Sequence, residues 1–462
     1  MKKTIDRRRF LKLLPVVIAL AWPTMLEELT QTAVQYIDTA MVGSLGTKAT
    51  ASVGATTTVN WLIGSTVFAF GVGFLAYISQ AKGAGDSGRV RKASAQSVLA
   101  VIVIGAVFTA ITLSLARVIP LWMRVDEDIR DAAGLYFFIL YIPMIFRTAS
   151  IIFGTVLRAV GDTKTPMICG ITVNLLNVLL NFLFIYGDRT VTVFGRGIFV
   201  YGAGMGVNGA AVASAVSYAV GGILVTTALL VHPAASPKGE SIKPDKKVLI
   251  PCLKVSMPNM LQRFGTSLGY VAFASMINSL GAVSTAAHTV ANTVESAFYI
   301  PGYGIQTAAA TLTGNAIGAN DRRRQSDLAK TIIILEVFLM ILSGALLFAF
   351  APEMVRIFSK DEEVIRLGGT VLRMVACSEP FYGISIVTEG MLQGAGKTKV
   401  PFVLNVTGMW MIRILGTFIC TQLIGLGLIS AWACMIAHNL LLSASFVIYY
   451  RRTDMFADRI KA

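Results

Sequence analysis

The sequence predicts an all-α polytopic membrane protein, with twelve transmembrane helices in two pseudo-symmetric lobes of six helices each. Three observations lead to this prediction. The composition is too apolar for a soluble protein, apolar segments of membrane-spanning length recur along the chain, and the second half of the chain repeats landmarks of the first half. Together they indicate a chain embedded in a bilayer over nearly its whole length.

The apolar segments are long enough to cross a membrane. Of 462 residues, 55% are hydrophobic and 14% are charged, and the mean hydropathy is +0.69. A helix needs roughly 20 apolar residues to span the hydrocarbon core of a bilayer. Twelve such segments occur, centred near residues 26, 63, 105, 144, 175, 217, 263, 298, 339, 380, 412 and 439. Segment 233–247, which combines three prolines with Lys and Ser, is predicted to be a hydrophilic linker.

The net charge of +15 by itself would suit a nucleic-acid-binding protein, but its placement predicts a membrane topology. The two termini and the loops that follow even-numbered helices carry 26 of the 40 Lys and Arg residues, and the other loops carry 9. Basic loops stay on the cytoplasmic side. We therefore expect a multi-pass protein of the inner (cytoplasmic) membrane with both termini cytoplasmic, in contact with membrane lipid and with no nucleic-acid partner.

The two halves of the chain are related by a shift of 235 residues without a gap. The shift pairs Lys12 with Lys247, Pro23 with Pro258, Leu45-Gly46 with Leu280-Gly281, Gly83-Ala84 with Gly318-Ala319, and Gly161, Thr163, Lys164 and Pro166 with Gly396, Thr398, Lys399 and Pro401. It predicts an N-lobe of helices 1–6 (1–232), a cytoplasmic linker (233–247) and a C-lobe of helices 7–12 (248–462). The first apolar segment has a partner in the repeat, so we expect a retained helix there, although Arg7-Arg8-Arg9 resembles an export signal.

The even number of helices in each half bears on function. Both lobes begin on the cytoplasmic side, so their repeat axis lies along the membrane normal, as in secondary transporters whose halves rock around a central site. A channel or a membrane enzyme has less need of two equal lobes. Five scattered cysteines and three isolated histidines form no spacing typical of a disulfide, a metal cofactor or a catalytic centre. We therefore expect a transporter without a cofactor rather than an enzyme; a receptor or sensor is the alternative.

A polar stripe on the first helix contains the main candidate residue, Asp38. Glu27, Gln31, Gln35 and Asp38 recur at helical spacing on one face. Such a stripe must face the protein interior or a water-filled cavity, because a charge at bilayer depth is costly. A buried carboxylate could take a proton or a sodium ion from outside and release it inside. The alternative is an aspartate that is hydrogen-bonded for structural reasons alone.

Several phrases of the sequence resemble the multidrug and toxic compound extrusion (MATE) family over nearly the whole chain. They are YIDTAMVGSLG, RAVGDTKTP, NLLNVLLNFLFIYG and GVNGAAVAS in the N-lobe, and SLGAVSTAAH, GNAIGAND, QGAGKTKVP and MWMIRILG in the C-lobe. The resemblance implies two six-helix lobes around a cleft, and export of bulky, often cationic compounds in exchange for Na⁺ or H⁺. A lipid-linked precursor flippase of the same superfamily is the alternative; such proteins often have two more helices and several cationic residues in the cleft.

The resemblance also implies a set of ion-coupling residues. Asp38 occupies the position of the family's N-lobe carboxylate, Asn177 and Asn181 match the asparagine/acid pair that supports it, and Ser214 matches a nearby hydroxyl. Asp38, Asn177 and Asn181 would be the metal ligands if the coupling ion is Na⁺. The second member of the pair is Asn here instead of an acid, which weakens the case for Na⁺ because hard cations favour anionic oxygen. Packing is the alternative role for the three polar residues.

Other polar residues at bilayer depth are candidates for substrate binding: Glu27, Glu28, Gln31, Gln35, Glu295, Glu389 and Arg413. A structural pair between Arg413 and a carboxylate is the alternative for the last three. Where one branch of the family carries C-lobe acids, this chain has Thr266 and Tyr382, so we expect no C-lobe ion site of that type. Glu336 is expected to snorkel to the interface. We expect a monomer that binds a small organic substrate and a coupling cation.

Overall fold

The structure, a computed structural model, describes residues 7–123, 125–193, 196–457 and 460. The first half contains the helices α1 (Arg7–Gly43), α2 (Thr47–Gly83), α3 (Ser87–Leu115), α4 (Ile119–Trp122), α5 (Glu127–Tyr141), α6 (Met144–Ala159), α7 (Lys164–Phe184) and α8 (Gly206–Val231). The second half contains α9 (Lys246–Asn278), α10 (Ala282–Gly318), α11 (Arg322–Phe358), α12 (Glu362–Ala376), α13 (Glu379–Gly394), α14 (Lys399–Thr407), α15 (Leu415–Phe418) and α16 (Leu428–Arg452). π-Helical turns at Gly408–Ile414 and Ile419–Leu423 join α14 and α15 into one segment that ends at Leu423.

The fold is the predicted all-α, twelve-helix architecture of two lobes. Within the described residues, eight helices are each long and apolar enough to cross a membrane, and α5 with α6 forms a ninth, bent span. Three more segments coincide with the predicted spans near residues 263, 298 and 380: α9, α10, and α12 with α13. These carry more polar residues, such as Gln262 and Glu295, because they supply the polar groups of the interior described below.

The fourth helix of each half is broken at equivalent positions. The helices α5 and α6 meet at an angle of 51°, where Pro143 precedes the first turn of α6. A proline lacks the N–H that would continue the helical ladder, so it favours a break there. The helices α12 and α13 are separated by residues 377 and 378, which the shift of 235 places on residues 142 and 143. The repeat therefore preserves the position of the helix break.

A β-hairpin between α7 and α8 was not predicted from the sequence. Its strands, β1 (Gly187–Val193) and β2 (Arg196–Ala203), pair antiparallel with a register irregularity between Gly187 and Arg189. The two strands are rich in β-branched and aromatic residues, which are the residues enriched in β-strands. The hairpin lies in a loop outside the predicted spans, where water can satisfy its edges.

Large apolar side chains are exposed along the length of the helices. Examples are Val103 on α3, Leu175 on α7, Phe338 on α11 and Leu441 on α16. A surface of this kind would be unfavourable in water, and it is expected where hydrocarbon is the solvent. The apolar exterior agrees with a helical bundle that has lipid around it.

The contacts of the chain define two compact units. Unit 1 comprises Met1–Glu28, Leu75–Ser87 and Ile250–Ala462, and unit 2 comprises Leu29–Phe74 and Gly88–Leu249. Unit 1 therefore includes the start of α1, where Val17 and Ala21 pack in one apolar cluster with Ile305 and Ile332. The sequence-based lobe boundaries, 1–232, 233–247 and 248–462, stay a prediction.

Within unit 1, the last turns of α2 and α10 approach each other backbone to backbone. A Cβ atom on Gly83 would overlap the carbonyl oxygen of Asn315, and a Cβ atom on Gly318 would overlap the carbonyl oxygen of Gln80. The shift of 235 maps Gln80 onto Asn315 and Gly83 onto Gly318. The two contacts are therefore reciprocal, and glycine is required at both positions because no side chain fits.

This packing predicts that Gly318→Ala lowers the stability of the folded protein. The added methyl group must push α2 and α10 apart, and overpacking of this kind costs about 1–3 kcal/mol. The matched control is Gly54→Ala on α2, where an added Cβ atom meets nothing within 4 Å. The measurement is the thermal unfolding midpoint of the purified variants. Equal midpoints for Gly318→Ala and Gly54→Ala would show that the close contact is absent.

Candidate ion-coupling site

The structure brings the four predicted ion-coupling residues together within unit 2. Asp38 projects from α1, Asn177 and Asn181 lie one turn apart on α7, and Ser214 lies on α8. Asn181 Nδ2 donates a hydrogen bond to Asp38 Oδ1 at 2.5 Å. The carboxylate therefore points toward α7 and α8.

The amide of Asn177 completes the environment of the carboxylate. In the orientation that satisfies its neighbours, its nitrogen lies 3.0 Å from both carboxylate oxygens of Asp38, and its oxygen accepts a hydrogen bond from Ser214 Oγ at 3.2 Å. We prefer this orientation because an amide oxygen beside a carboxylate would be repelled. Two amide N–H groups aimed at one carboxylate solvate its ionised form.

The same group of residues contains oxygen atoms that could bind a cation. Asn181 is 1% exposed and Asn177 is 7% exposed, whereas Asp38 is half-buried. Asn181 Oδ1 is buried and has no hydrogen-bond partner in the described part of the chain. Carboxylate, amide and hydroxyl oxygens are ligands for hard cations, so this donor set fits Na⁺. A proton on Asp38 could equally be shared with an amide oxygen. Binding of either Na⁺ or a proton in this way requires at least one of the two amides to turn its oxygen toward Asp38.

A second polar group of unit 2 centres on Arg147 of α6. Arg147 Nη1 donates to Asn60 Oδ1 at 2.7 Å, and Tyr141 OH donates to the same oxygen at 2.7 Å. The ring of Tyr218 lies 4.8 Å from the guanidinium carbon. No carboxylate lies within 4.0 Å of Arg147 among the described residues, so Asn60 and the rings hold the cation. The polar residue Asn60 in an apolar span was the signal that could have identified this partner.

The polar stripe of the first helix is not gathered into one unit. Glu27 and Glu28 belong to unit 1, and Gln31 and Gln35 belong to unit 2. The two glutamates are half-buried and the two glutamines are exposed. Their assignment to substrate binding stays a prediction.

Glu389 in unit 1 has amide partners from three segments. Its Oε1 accepts from Gln262 Nε2 of α9 at 2.9 Å and from Gln393 Nε2 of α13 at 3.0 Å. Its Oε2 accepts from Asn405 Nδ2 of α14 at 3.2 Å. Amide donors therefore surround this carboxylate, as they do Asp38 in unit 2.

Arg413 is buried among apolar and aromatic groups. It is 5% exposed, its guanidinium carbon lies 4.4 Å from the ring centre of Phe273, and its Nη2 lies 2.7 Å from Met435 Sδ. In the described part of the chain no carboxylate lies within 4.0 Å of it. Glu295, which is also 5% exposed, interacts with Arg413 through charge at longer range. The structure therefore shows no direct Arg413–carboxylate pair.

The expectation that Glu336 snorkels to the interface is wrong. Glu336 is 0% exposed and lies near the middle of α11, which runs from Arg322 to Phe358. The apolar segment predicted this helix, but the helix extends far beyond the apolar residues at both ends. The distance of Glu336 from a helix end was therefore underestimated.

Comparisons with known proteins agree with this architecture. The MatE family model matches residues 23–183 and 258–419, so it matches the chain twice, and the two matches start 235 residues apart. The probable multidrug resistance protein NorM of Thermotoga maritima is 28% identical over 451 residues, which cover 96% of this chain and 95% of that protein. The double match supports the internal repeat, and both observations support the family resemblance.

Solved structures support the fold. An outward-facing multidrug resistance MATE family transporter of the MOP superfamily superposes with a TM-score of 0.87 at 20% identity and full coverage of both chains. A MOP superfamily transporter from Pyrococcus furiosus, reported with a binding pocket of reverse polarity, superposes with a TM-score of 0.85 at 21% identity, again over the full length of both. Because the family model matches more than half of the chain, the chain belongs to the MatE family and is a multi-pass membrane transporter of the multidrug efflux type.

Proposed function

We propose that this protein is a secondary active antiporter that exports small, cationic or amphipathic organic compounds, such as drugs and toxins, in exchange for H⁺ or Na⁺. In this proposal the mechanism is alternating access, and Asp38 is the coupling carboxylate. The observation that carries the proposal is the hydrogen bond from Asn181 to Asp38. It holds a carboxylate at bilayer depth inside the protein, in a shell of amides that can reverse their orientation.

The chemistry of the site suggests how coupling works. With two N–H groups directed at it, Asp38 is stabilised as an anion, and an anion can attract either the coupling cation or a cationic substrate. Binding of H⁺ or Na⁺ neutralises Asp38 and removes its attraction for the substrate, so the two occupy the site in alternation. A cation that enters down a potential of 100 mV gains about 2.3 kcal/mol, which is enough to drive modest accumulation of a substrate on the outside.

The proposal includes the setting in which the protein works. It places a monomer in the cytoplasmic membrane, in contact with lipid and with both termini cytoplasmic, as the distribution of Lys and Arg predicts. The substrate-binding candidates are those named from the sequence. No cofactor takes part apart from the transported H⁺ or Na⁺.

A lipid-linked precursor flippase is the second candidate, and the buried arginines favour it. Arg147 and Arg413 have no carboxylate within 4.0 Å among the residues that the structure describes, and a guanidinium group suits the phosphate of such a precursor. Inverted membrane vesicles can compare uptake of a fluorescent organic cation with translocation of a fluorescent lipid diphosphate. Translocation of the lipid without uptake of the cation would favour the flippase.

The antiporter proposal predicts that Asp38→Asn abolishes gradient-driven uptake of a fluorescent cation into inverted vesicles, because the amide cannot bind H⁺ or Na⁺ as an anion does. Uptake should fall to the level of vesicles without the protein, under either an imposed Na⁺ gradient or an imposed pH gradient. Asp128→Asn changes an exposed acid of the same unit and should leave uptake unchanged. Normal uptake by Asp38→Asn would refute the assignment of Asp38.

The composition of the site predicts that Asn181→Asp increases the dependence of transport on Na⁺. A second carboxylate next to Asp38 adds about 1–4 kcal/mol of attraction for a cation, which corresponds to an increase in Na⁺ affinity of roughly fivefold to several hundredfold. Uptake would be measured over a series of Na⁺ concentrations at alkaline pH, with Asn174→Asp as the control on the same helix. An unchanged Na⁺ dependence would place the cation elsewhere.

A further inference from the structure

Unit 1 contains buried acids to which neither the proposed coupling mechanism nor the family comparison assigns a role. Glu336 on α11 is 0% exposed and Glu379 on α13 is 1% exposed. We propose that these two side chains form a proton-binding site in which each carboxyl group holds a proton at neutral pH. The site is separate from Asp38, and the inference goes beyond the antiport proposal and does not depend on it.

Glu336 lies between two helices that leave no room for another ligand. A Cβ atom on Gly302 of α10 would lie 2.6 Å from Glu336 Oε1, and a Cβ atom on Gly383 of α13 would lie 2.9 Å from it. The side chain of Met340 lies beside both glycines. A space that does not admit one methyl group cannot admit a hydrated cation or an organic compound, so the chemical class of the ligand is a proton.

Glu379 is the first residue of α13, directly after the break in the fourth helix of the second half. Gly344 of α11 lies opposite, where an added Cβ atom would be 3.6 Å from Glu379 Cβ. Both oxygens of Glu379, and both oxygens of Glu336, have no hydrogen-bond donor in the described part of the chain. The two acids interact with each other through charge, so ionisation of one opposes ionisation of the other.

The charged groups near Glu336 and Glu379 bear on whether each of the two carboxyl groups needs its own proton. Glu379 also interacts with Glu295, and Glu295 interacts with Arg413. Among the other titratable groups, Tyr299 interacts with Glu295 and Glu379. Tyr270, Tyr303 and Tyr382 interact with Tyr299, and His288 and His438 interact with Arg413. Arg413 can offset one carboxylate, and it interacts with Glu295 through charge. An ionised carboxylate without a donor in an apolar interior is very unfavourable, so Glu336 and Glu379 persist as neutral acids.

The repeat shows that this site belongs to the second half alone. The shift of 235 places Glu336 on Val101 and Glu379 on Met144, and it places Asp38 on Phe273. Each half therefore carries its acids on helices where the other half has apolar residues. The proton site in unit 1 is not a copy of the site around Asp38.

Infrared spectroscopy of the purified protein tests the proposal, since a protonated carboxyl group has a C=O stretching band that an ionised one lacks. At neutral pH the wild-type protein should show this band, and Glu336→Gln and Glu379→Gln should each remove one component of it. Glu353→Gln changes an exposed acid on α11 and should leave the band unchanged. Retention of the wild-type band in both Glu336→Gln and Glu379→Gln overturns the proposal.

Two further variants keep the test decisive. If Glu336→Gln does not fold, Glu336→Met replaces the neutral acid by an apolar side chain of similar length, and loss of the same band component is again the expected result. Retention of that component by folded Glu336→Met overturns the proposal. Asp38→Asn is recorded in parallel, and it should keep both components of Glu336 and Glu379 whether or not it transports. Failure of the antiport mechanism is therefore distinguishable from failure of this inference.

Discussion

The hydrogen bond from Asn181 to Asp38 meets a requirement that applies to every polar group in the interior of this protein. Hydrocarbon offers no partner to a polar group, so every charge at bilayer depth needs one from another helix. Asp38 obtains its partners from α7, Arg147 obtains them from α2 and from aromatic rings, and Glu389 obtains them from three segments. The contacts of each of these polar groups therefore also link the helices that supply its partners. For this reason the polar residues lie where several helices meet.

The acids that lack such partners show the other solution to the same constraint. Glu336 and Glu379 are more deeply buried than Asp38, and a proton removes their need for a donor. The amide N–H groups around Asp38 solvate its ionised form, so this carboxylate does not need a proton. Under the two proposals, the depth of burial and the number of donors together separate an acid that exchanges its ion from an acid that retains a proton.

The sequence predicted the fold well because its signals are periodic and local. The twelve apolar segments and the shift of 235 residues correspond to the helices that form, and the resemblance identified Asp38, Asn177, Asn181 and Ser214, which lie together in unit 2. What these four residues do in transport stays a prediction. The sequence did not predict three features: the depth of Glu336, the pairing of Arg147 with Asn60 and the β-hairpin after α7. These features depend on where helices end and on contacts between distant segments. The periodicity of apolar residues gives no information on either.

The reciprocal contact between α2 and α10 has a consequence for the origin of the chain. In a dimer with a two-fold axis, each contact between the identical subunits occurs twice. If residue i of one subunit contacts residue j of the other, then residue j of the first contacts residue i of the second. The contact between α2 and α10 therefore has the geometry of an isologous interface, in which two copies of one helix end pack against each other. Because both halves belong to one polypeptide, they need not be identical, and they carry their acids at different positions.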